Sequence, residues 1–214
     1  MTGITGEEVD ARLVHVPQLL EWACGGEAHK KRGNYSQVVE DRDWAGYSSC
    51  GDLAHWLLYA LGCRQAWINR GEHRDGDLGK PGWDVAVNVS RLAFSAPTSV
   101  RQTPMPGYMV VAPGDIMICW NDAKGTDAHV FLAAAHQRLP GTLRVAEYGQ
   151  PGGHIVDRIV AARDGKLFNG RRQIQRWLPL HLVITDAAER DELEALCLPW
   201  TDTLPSPPPE EPNT

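Results

Sequence analysis

One amphipathic helical segment followed by a series of strand-like runs is the feature that most restricts the fold of this chain. From about Cys50 to Leu61, apolar residues recur at spacings of three and four, and Gly62 follows, which predicts a buried central helix. Strand-like runs come later, at Ile116 to Trp120, His129 to His136, Leu143 to Tyr148 and Leu180 to Ile184. A helix followed by an antiparallel meander indicates an α+β fold.

The flanking segments carry weaker patterns. We expect a short helix at about 15–26, where Pro17 lies near the start, and another at 185–196, where acidic residues occupy the first turn. Residues 68–113 are rich in glycine and charge, which predicts an irregular insertion with one strand near 85–89. Five prolines between Pro205 and Pro212 predict a disordered tail at 203–214, which leaves one domain over 1–202.

Charge and cysteine content exclude several classes of protein. Acidic side chains outnumber basic ones, 27 to 21, so the chain has no overall positive field for nucleic acid. The chain has no run of about 20 apolar residues, so we expect no membrane span, and its first residues lack the character of a secretory signal. We therefore expect synthesis in the cytoplasm, with no membrane span and no nucleic-acid partner. The five cysteines are scattered, which predicts free thiols rather than a disulfide framework or a zinc site.

Cys50 and His129 are the candidates for nucleophilic chemistry. Cys50 lies at the start of the predicted helix, where a negative group is favoured, and in general a cysteine at such a helix start beside a protonated histidine becomes a nucleophilic thiolate. His129 opens an apolar strand at a rim, and its face carries Phe131, Ala133 and Ala135, where small alanines leave room for a packed helix. Each residue alone also fits a structural role, Cys50 as the top of the apolar stripe and His129 as a strand-end side chain.

Three short blocks resemble one family. In chain order they are Ser48-Ser49-Cys50-Gly51-Asp52-Leu53, Pro113-Gly114-Asp115-Ile116-Met117 and Ala128-His129-Val130-Phe131-Leu132. They are similar to the Cys, Gly-Asp and His-Val blocks of papain-like amidohydrolases of the NlpC and CHAP types. The resemblance covers about 34–150 and implies a papain-like α+β fold, in which a central helix capped by the cysteine packs on an antiparallel sheet. Ser49 departs from the pattern, because NlpC-type enzymes carry an aspartate there.

The resemblance also implies a third catalytic residue, a polar side chain on the strand after His129 that orients the imidazole. Glu147 fits this role, because a carboxylate at the end of an apolar strand accepts from imidazole and stabilises its cationic form. A simple hairpin at Pro140-Gly141 pairs His129 with residues near 150–152, which makes Gln150 the alternative. The strand tilt of the family favours Glu147.

The activity that this resemblance implies is hydrolysis of an amide bond in a peptidoglycan peptide, through a thioester on Cys50 and with no metal or organic cofactor. An enzyme without a secretory signal needs another route to the cell wall, such as a phage lysis system or contact-dependent delivery of an antibacterial toxin. A toxin would in turn have a cognate inhibitor protein as its partner.

Other functions stay open at the level of sequence. One alternative is an intracellular cysteine peptidase, deamidase or acyltransferase that acts on proteins. Another is a non-catalytic binding module of the same fold, in which Cys50 and His129 are packing residues. A metal site built from His129, His136 and His154 is disfavoured, because the first two face opposite sides of one strand.

Overall fold

The structure is a computed structural model of the chain, and it describes residues 6–24, 50–63, 102–120, 129–149, 152–196 and 198. The helices in these ranges are α1 (Gly6–Leu13), α2 (Val16–Cys24), α3 (Asp52–Ala60) and α4 (Leu180–Glu189). The strands are β1 (Met109–Val111), β2 (Ile116–Trp120), β3 (His129–Ala133), β4 (Gln137–Leu139), β5 (Gly141–Gly149), β6 (Gly152–Arg163), β7 (Lys166–Asn169) and β8 (Arg172–Leu178). The strand expected near 85–89, the tail expected at 203–214 and most of the insertion expected at 68–113 lie outside the described residues.

Six of these strands form a closed antiparallel barrel in the order β2-β3-β5-β6-β7-β8. β2 pairs with β3 on one side and with β8 on the other, and the second pairing closes the sheet. The register of β2 against β8 shifts between Ile118 and Cys119, an irregularity that bends and twists a strand where a barrel must curve. β1 and β4 form a separate two-stranded sheet.

The expectation of a papain-like α+β fold, with a central helix on an antiparallel sheet, is therefore wrong. The meander does not end at β5 but continues through β6, β7 and β8, and β8 returns to β2. Asp164 and Gly165 form the turn between β6 and β7 with positive φ angles of 49° and 71°, a geometry that matches the twist of a tight hairpin. The described part of the chain is mostly β, with few helices outside the barrel.

Alternation along the strands divides their side chains between two apolar clusters. One cluster joins Ile118, Val130 and Leu132 to side chains of the helices, so the helices cover this outer face. Every barrel strand contributes to the second cluster, which therefore fills the interior of the barrel: Met117, Cys119, Phe131, Ala133, Leu143, Val145, Val160, Leu167 and Ile174. The prediction that a helix packs on the face of Phe131 and Ala133 is wrong, because that face points into the barrel.

α2 and α3 confirm two of the predicted helices and lie close to the strands that carry the site. Trp22 of α2 and Trp56 of α3 stack with ring centroids 5.5 Å apart, which fixes the two helices against each other. α3 also contacts β3 and β5, and α2 contacts β5 and β6. Within the described ranges, no helix has the length and apolar character needed to cross a membrane.

α4 occupies the place of the strand expected at Leu180 to Ile184, so that prediction is wrong, and the helix expected at 185–196 begins earlier and ends at Glu189. A distant side chain caps α4: Oδ1 of Asp115 accepts a hydrogen bond from the Leu180 amide at 2.9 Å. Oδ2 of Asp115 accepts from the Trp177 indole at 2.9 Å and from the Ala112 amide at 3.1 Å. Burial raises the pKa of Asp115, and these hydrogen bonds oppose the rise.

Candidate active site

Cys50 lies immediately before Gly51, the N-cap residue of α3. Its thiol is half-buried and free of any disulfide. Backbone amides at the start of a helix lack intrahelical partners and create a positive local potential, which favours an anion at this position. Placement and partial exposure together make Cys50 the candidate nucleophile.

The imidazole of His129 connects Cys50 to Glu147. Nε2 of His129 lies 2.9 Å from Oε2 of Glu147, and Cys50 acts on the same ring through a hydrogen bond and its charge, both of which raise the pKa of His129. Because Nε2 faces Glu147, Nδ1 is the nitrogen left to face the thiol. The His129 side chain is 16% exposed and packs beside Phe131, with ring centroids 6.0 Å apart. Thiol, imidazole and carboxylate thus form one hydrogen-bonded chain.

Strand register explains why His129 meets Glu147. β3 and β5 pair with Leu132 opposite Ala146 and Ala133 opposite Val145. The same register continued to the start of β3 makes Glu147 a diagonal neighbour of His129 on one face of the sheet. The two side chains therefore lie on the inner face, at the end of the barrel where β3 begins.

Burial and ion pairing together set the protonation states of the pair. Burial lowers the pKa of His129, but hydrogen bonds and charge from Cys50 and Glu147 outweigh this effect and raise the value to about 9. Burial raises the pKa of Glu147, but hydrogen bonds and charge from His129 and Arg158 outweigh it and lower the value to about 2. Near neutral pH, Glu147 is therefore a carboxylate that only accepts, and Nε2 of His129 is the donor.

Glu147 has two further partners, and both lie on β6. Nε2 of His154 lies 3.0 Å from Oε1 of Glu147, and Arg158 donates a hydrogen bond to the same oxygen. The side chain of Glu147 is only 5% exposed, so an ionised carboxylate would be costly there without compensating partners. Arg158 supplies a permanent positive charge, and His154 supplies a second donor.

The other thiols in the described ranges have environments that disfavour the thiolate. Burial raises the pKa of Cys24 to about 12, and the charge of Glu147 adds to this rise. Burial also raises the pKa of Cys63 to about 12. Cys119 lies opposite His129 in the pairing of β2 with β3, but it is fully buried, and burial raises its pKa too.

The sequence matches no family model and no curated protein, and the fold matches no solved structure.

Three residues proposed from the sequence, Cys50, His129 and Glu147, meet in one hydrogen-bonded chain, whereas Gln150 lies outside the described residues. Sequence reasoning missed Arg158 and considered His154 only as a metal ligand. Alternation along β6 puts 154, 156 and 158 on one face, and this pattern could have indicated both partners. In the described ranges, no three His, Cys, Asp or Glu side chains are arranged to hold a metal ion.

Proposed function

We propose that this protein is a cysteine hydrolase that cleaves an amide bond. Cys50 is the nucleophile, His129 the general acid and base, and Glu147 the group that orients the ring and stabilises its charge. The observation that carries the proposal is the hydrogen-bonded chain from the half-buried thiol through His129 to the buried carboxylate. In a nucleophilic triad the base meets the nucleophile with one nitrogen and the orienting group with the other. Nε2 of His129 meets Glu147, which leaves Nδ1 for Cys50 in the proposed mechanism.

The proposed reaction has two acyl-transfer steps. The Cys50 thiolate attacks the amide carbonyl, and the backbone amide of Cys50, at the positive end of α3, stabilises the oxyanion. His129 donates its Nδ1 proton to the leaving nitrogen as the C–N bond breaks, which leaves a thioester on Cys50. The neutral ring then takes a proton from water, the hydroxide so formed attacks the thioester, and release of the acid restores the thiolate beside the imidazolium.

Glu147 acts in this scheme by charge and orientation. Its pKa, lowered to about 2 by His129 and Arg158 against the effect of burial, keeps it ionised while His129 is charged, and Arg158 still pairs with it when the ring is neutral. It therefore does not receive the proton that His129 carries. Its contribution is to hold the ring so that Nδ1 faces Cys50 and to stabilise the imidazolium form.

For the substrate we propose a peptide of peptidoglycan, cut within the stem peptide or at the bond that joins it to the sugar. Its support is the order of the three blocks around Cys50, Gly114-Asp115 and His129, which are similar to those of NlpC and CHAP amidohydrolases. The closed barrel differs from the fold that the resemblance implied, so the fold gives this substrate no support. Ser49, in place of the family's aspartate, predicts a different recognition of the peptide.

Digestion of purified peptidoglycan, followed by mass analysis of the released fragments, tests this proposal. The variants are Cys50→Ala and His129→Ala, and the control is Cys24→Ala, which removes a thiol whose pKa burial raises to about 12. We expect fragments from the wild type and from the control, and none from the two site variants. Cleavage that survives Cys50→Ala would reject the mechanism. A wild type that releases nothing, while Cys50 still alkylates rapidly, would reject peptidoglycan as the substrate.

A further inference from the structure

The carboxylate of Glu147 divides its partners between its two oxygens. Oε2 faces His129 at 2.9 Å, whereas Oε1 takes His154 at 3.0 Å together with Arg158. We propose that His154 is a positioning residue: it anchors Oε1, and thereby directs Oε2 and the ring of His129 toward Cys50. This inference rests on the proposed function, because it assigns His154 a role in the same site.

The pairing of β5 with β6 explains why His154 can hold this oxygen. Glu147 and His154 are directly opposite each other in the register, so their side chains leave the same face of neighbouring strands. Arg158 lies four residues further along β6 and reaches the same oxygen with a long, flexible side chain. The short, rigid ring of His154 therefore fixes the direction of the carboxylate, and Arg158 supplies charge.

A packing role would give His154 a different environment. A histidine that fills a core is buried, whereas the side chain of His154 is 38% exposed. An ionised Glu147 only accepts, so Nε2 of His154 carries the hydrogen and donates it to Oε1. His154 therefore uses one polar atom to hold Glu147 and leaves part of its ring open to solvent, as expected of an anchor.

Within the described residues, the groups that act on the charge of His129 come from three sides, while Cys119 faces it from β2 as a buried thiol whose pKa burial raises. Cys50 faces it from the start of α3, and Glu147 faces it from β5. His154 and Arg158 act from β6 through Glu147. A loss of the anchor should therefore appear as a change in the proton affinity of His129.

The test is the titration of the His129 ring, followed by NMR in protein labelled with nitrogen-15 histidine, with signals assigned by comparison with His129→Gln. His154→Ala removes the anchor, and His154→Gln keeps an N–H that can reach Oε1. His136→Ala, which removes an exposed histidine beyond the end of β3, is the matched control. We expect the His129 midpoint to fall by about 0.5 to 1 pH unit in His154→Ala, to return most of the way in His154→Gln, and to stay unchanged in the control.

An unchanged or raised midpoint in His154→Ala would overturn the inference, because loss of a neutral donor without loss of position makes Glu147 a stronger base and favours the imidazolium. Equal shifts in the Ala and Gln variants, with equal losses of thermal stability, would also overturn it, because a merely structural residue gives that pattern. The readout needs no substrate, so it separates this inference from the proposed function. A protein that cleaves no amide but shows the expected shifts would lose the proposed function and keep the positioning role of His154.

Discussion

Replacement of Glu147 by glutamine tests how much of the charge on His129 depends on this carboxylate. Glutamine keeps the shape of the side chain and an oxygen that can accept from Nε2, but it carries no charge. Against the effect of burial, Cys50 and Glu147 raise the pKa of His129 from 6.5 to about 9. An ionised partner at hydrogen-bond distance moves a pKa by about 1–3 units. We therefore expect the pKa of His129 to fall by about 1.5 units in Glu147→Gln, equivalent to ~2 kcal/mol.

Alkylation of Cys50 by iodoacetate measures this change. The reagent is an anion, so it reacts fastest with a thiolate beside an imidazolium, and the rate falls as His129 loses its proton. The alkaline limb should lie at about pH 9 in the wild type. It should move to about pH 7.5 in Glu147→Gln, which lowers the rate at about pH 8.5 roughly eightfold. Glu189→Gln, on the exposed end of α4, is the control and should leave the limb in place. If the alkaline limb of Glu147→Gln lies at the same pH as that of the wild type, the charge of Glu147 does not stabilise the protonated form of His129, and this prediction is refuted.

Three further predictions concern stability. Gly114→Ala should lower the free energy of unfolding by about 2–4 kcal/mol, because Gly114 has φ +87° and a Cβ there would collide with Leu180. Gly165→Ala, also at positive φ but with open space around it, should lower the free energy of unfolding by about 1 kcal/mol. Urea unfolding of the two variants therefore separates the cost of the collision from the cost of the positive φ. Asp115→Asn should destabilise by about 2–3 kcal/mol in the same assay, since one amide oxygen cannot serve all three donors, while the alkylation rate of Cys50 stays unchanged. Because the folded state lowers the pKa of Glu147 from 4.5 to about 2, its stabilising contribution is present above pH 4.5 and is lost as the pH falls toward 2. The urea midpoints of wild type and Glu147→Gln should therefore converge over that range, and a constant gap would contradict this prediction.

Local sequence patterns identified the elements whose stabilising contacts are close in the chain. The apolar spacing from Cys50 to Leu61 indicated α3, because that spacing follows from helix geometry alone. At the start of α4 the sequence predicts a strand, because Val183 and Ile184 favour strands, whereas the structure has a helix there. Its cap, Asp115, lies 65 residues before Leu180, where no local pattern can show it.

Barrel closure and the full site depend on strand pairing, which a single sequence shows poorly. Nothing local indicates that β8 pairs with β2, although Asp164-Gly165 is a local signal for the hairpin between β6 and β7. Cys50 and His129 could be selected as a helix start and a strand start. The choice of Glu147 over Gln150 needs the register of β3 with β5, and the partners on β6 need that strand to be recognised first.

A comparison of thiol reactivities within one molecule tests the central claim most directly. Wild type and His129→Gln are treated with iodoacetamide near neutral pH, and peptide mass mapping follows labelling of Cys24, Cys50, Cys63 and Cys119. We expect Cys50 to react about a hundredfold faster than the other three in the wild type and to lose most of this advantage in His129→Gln. Similar rates for these four of the five cysteines, or a Cys50 rate that is the same without His129, would contradict the assignment of Cys50 and His129 as a catalytic pair.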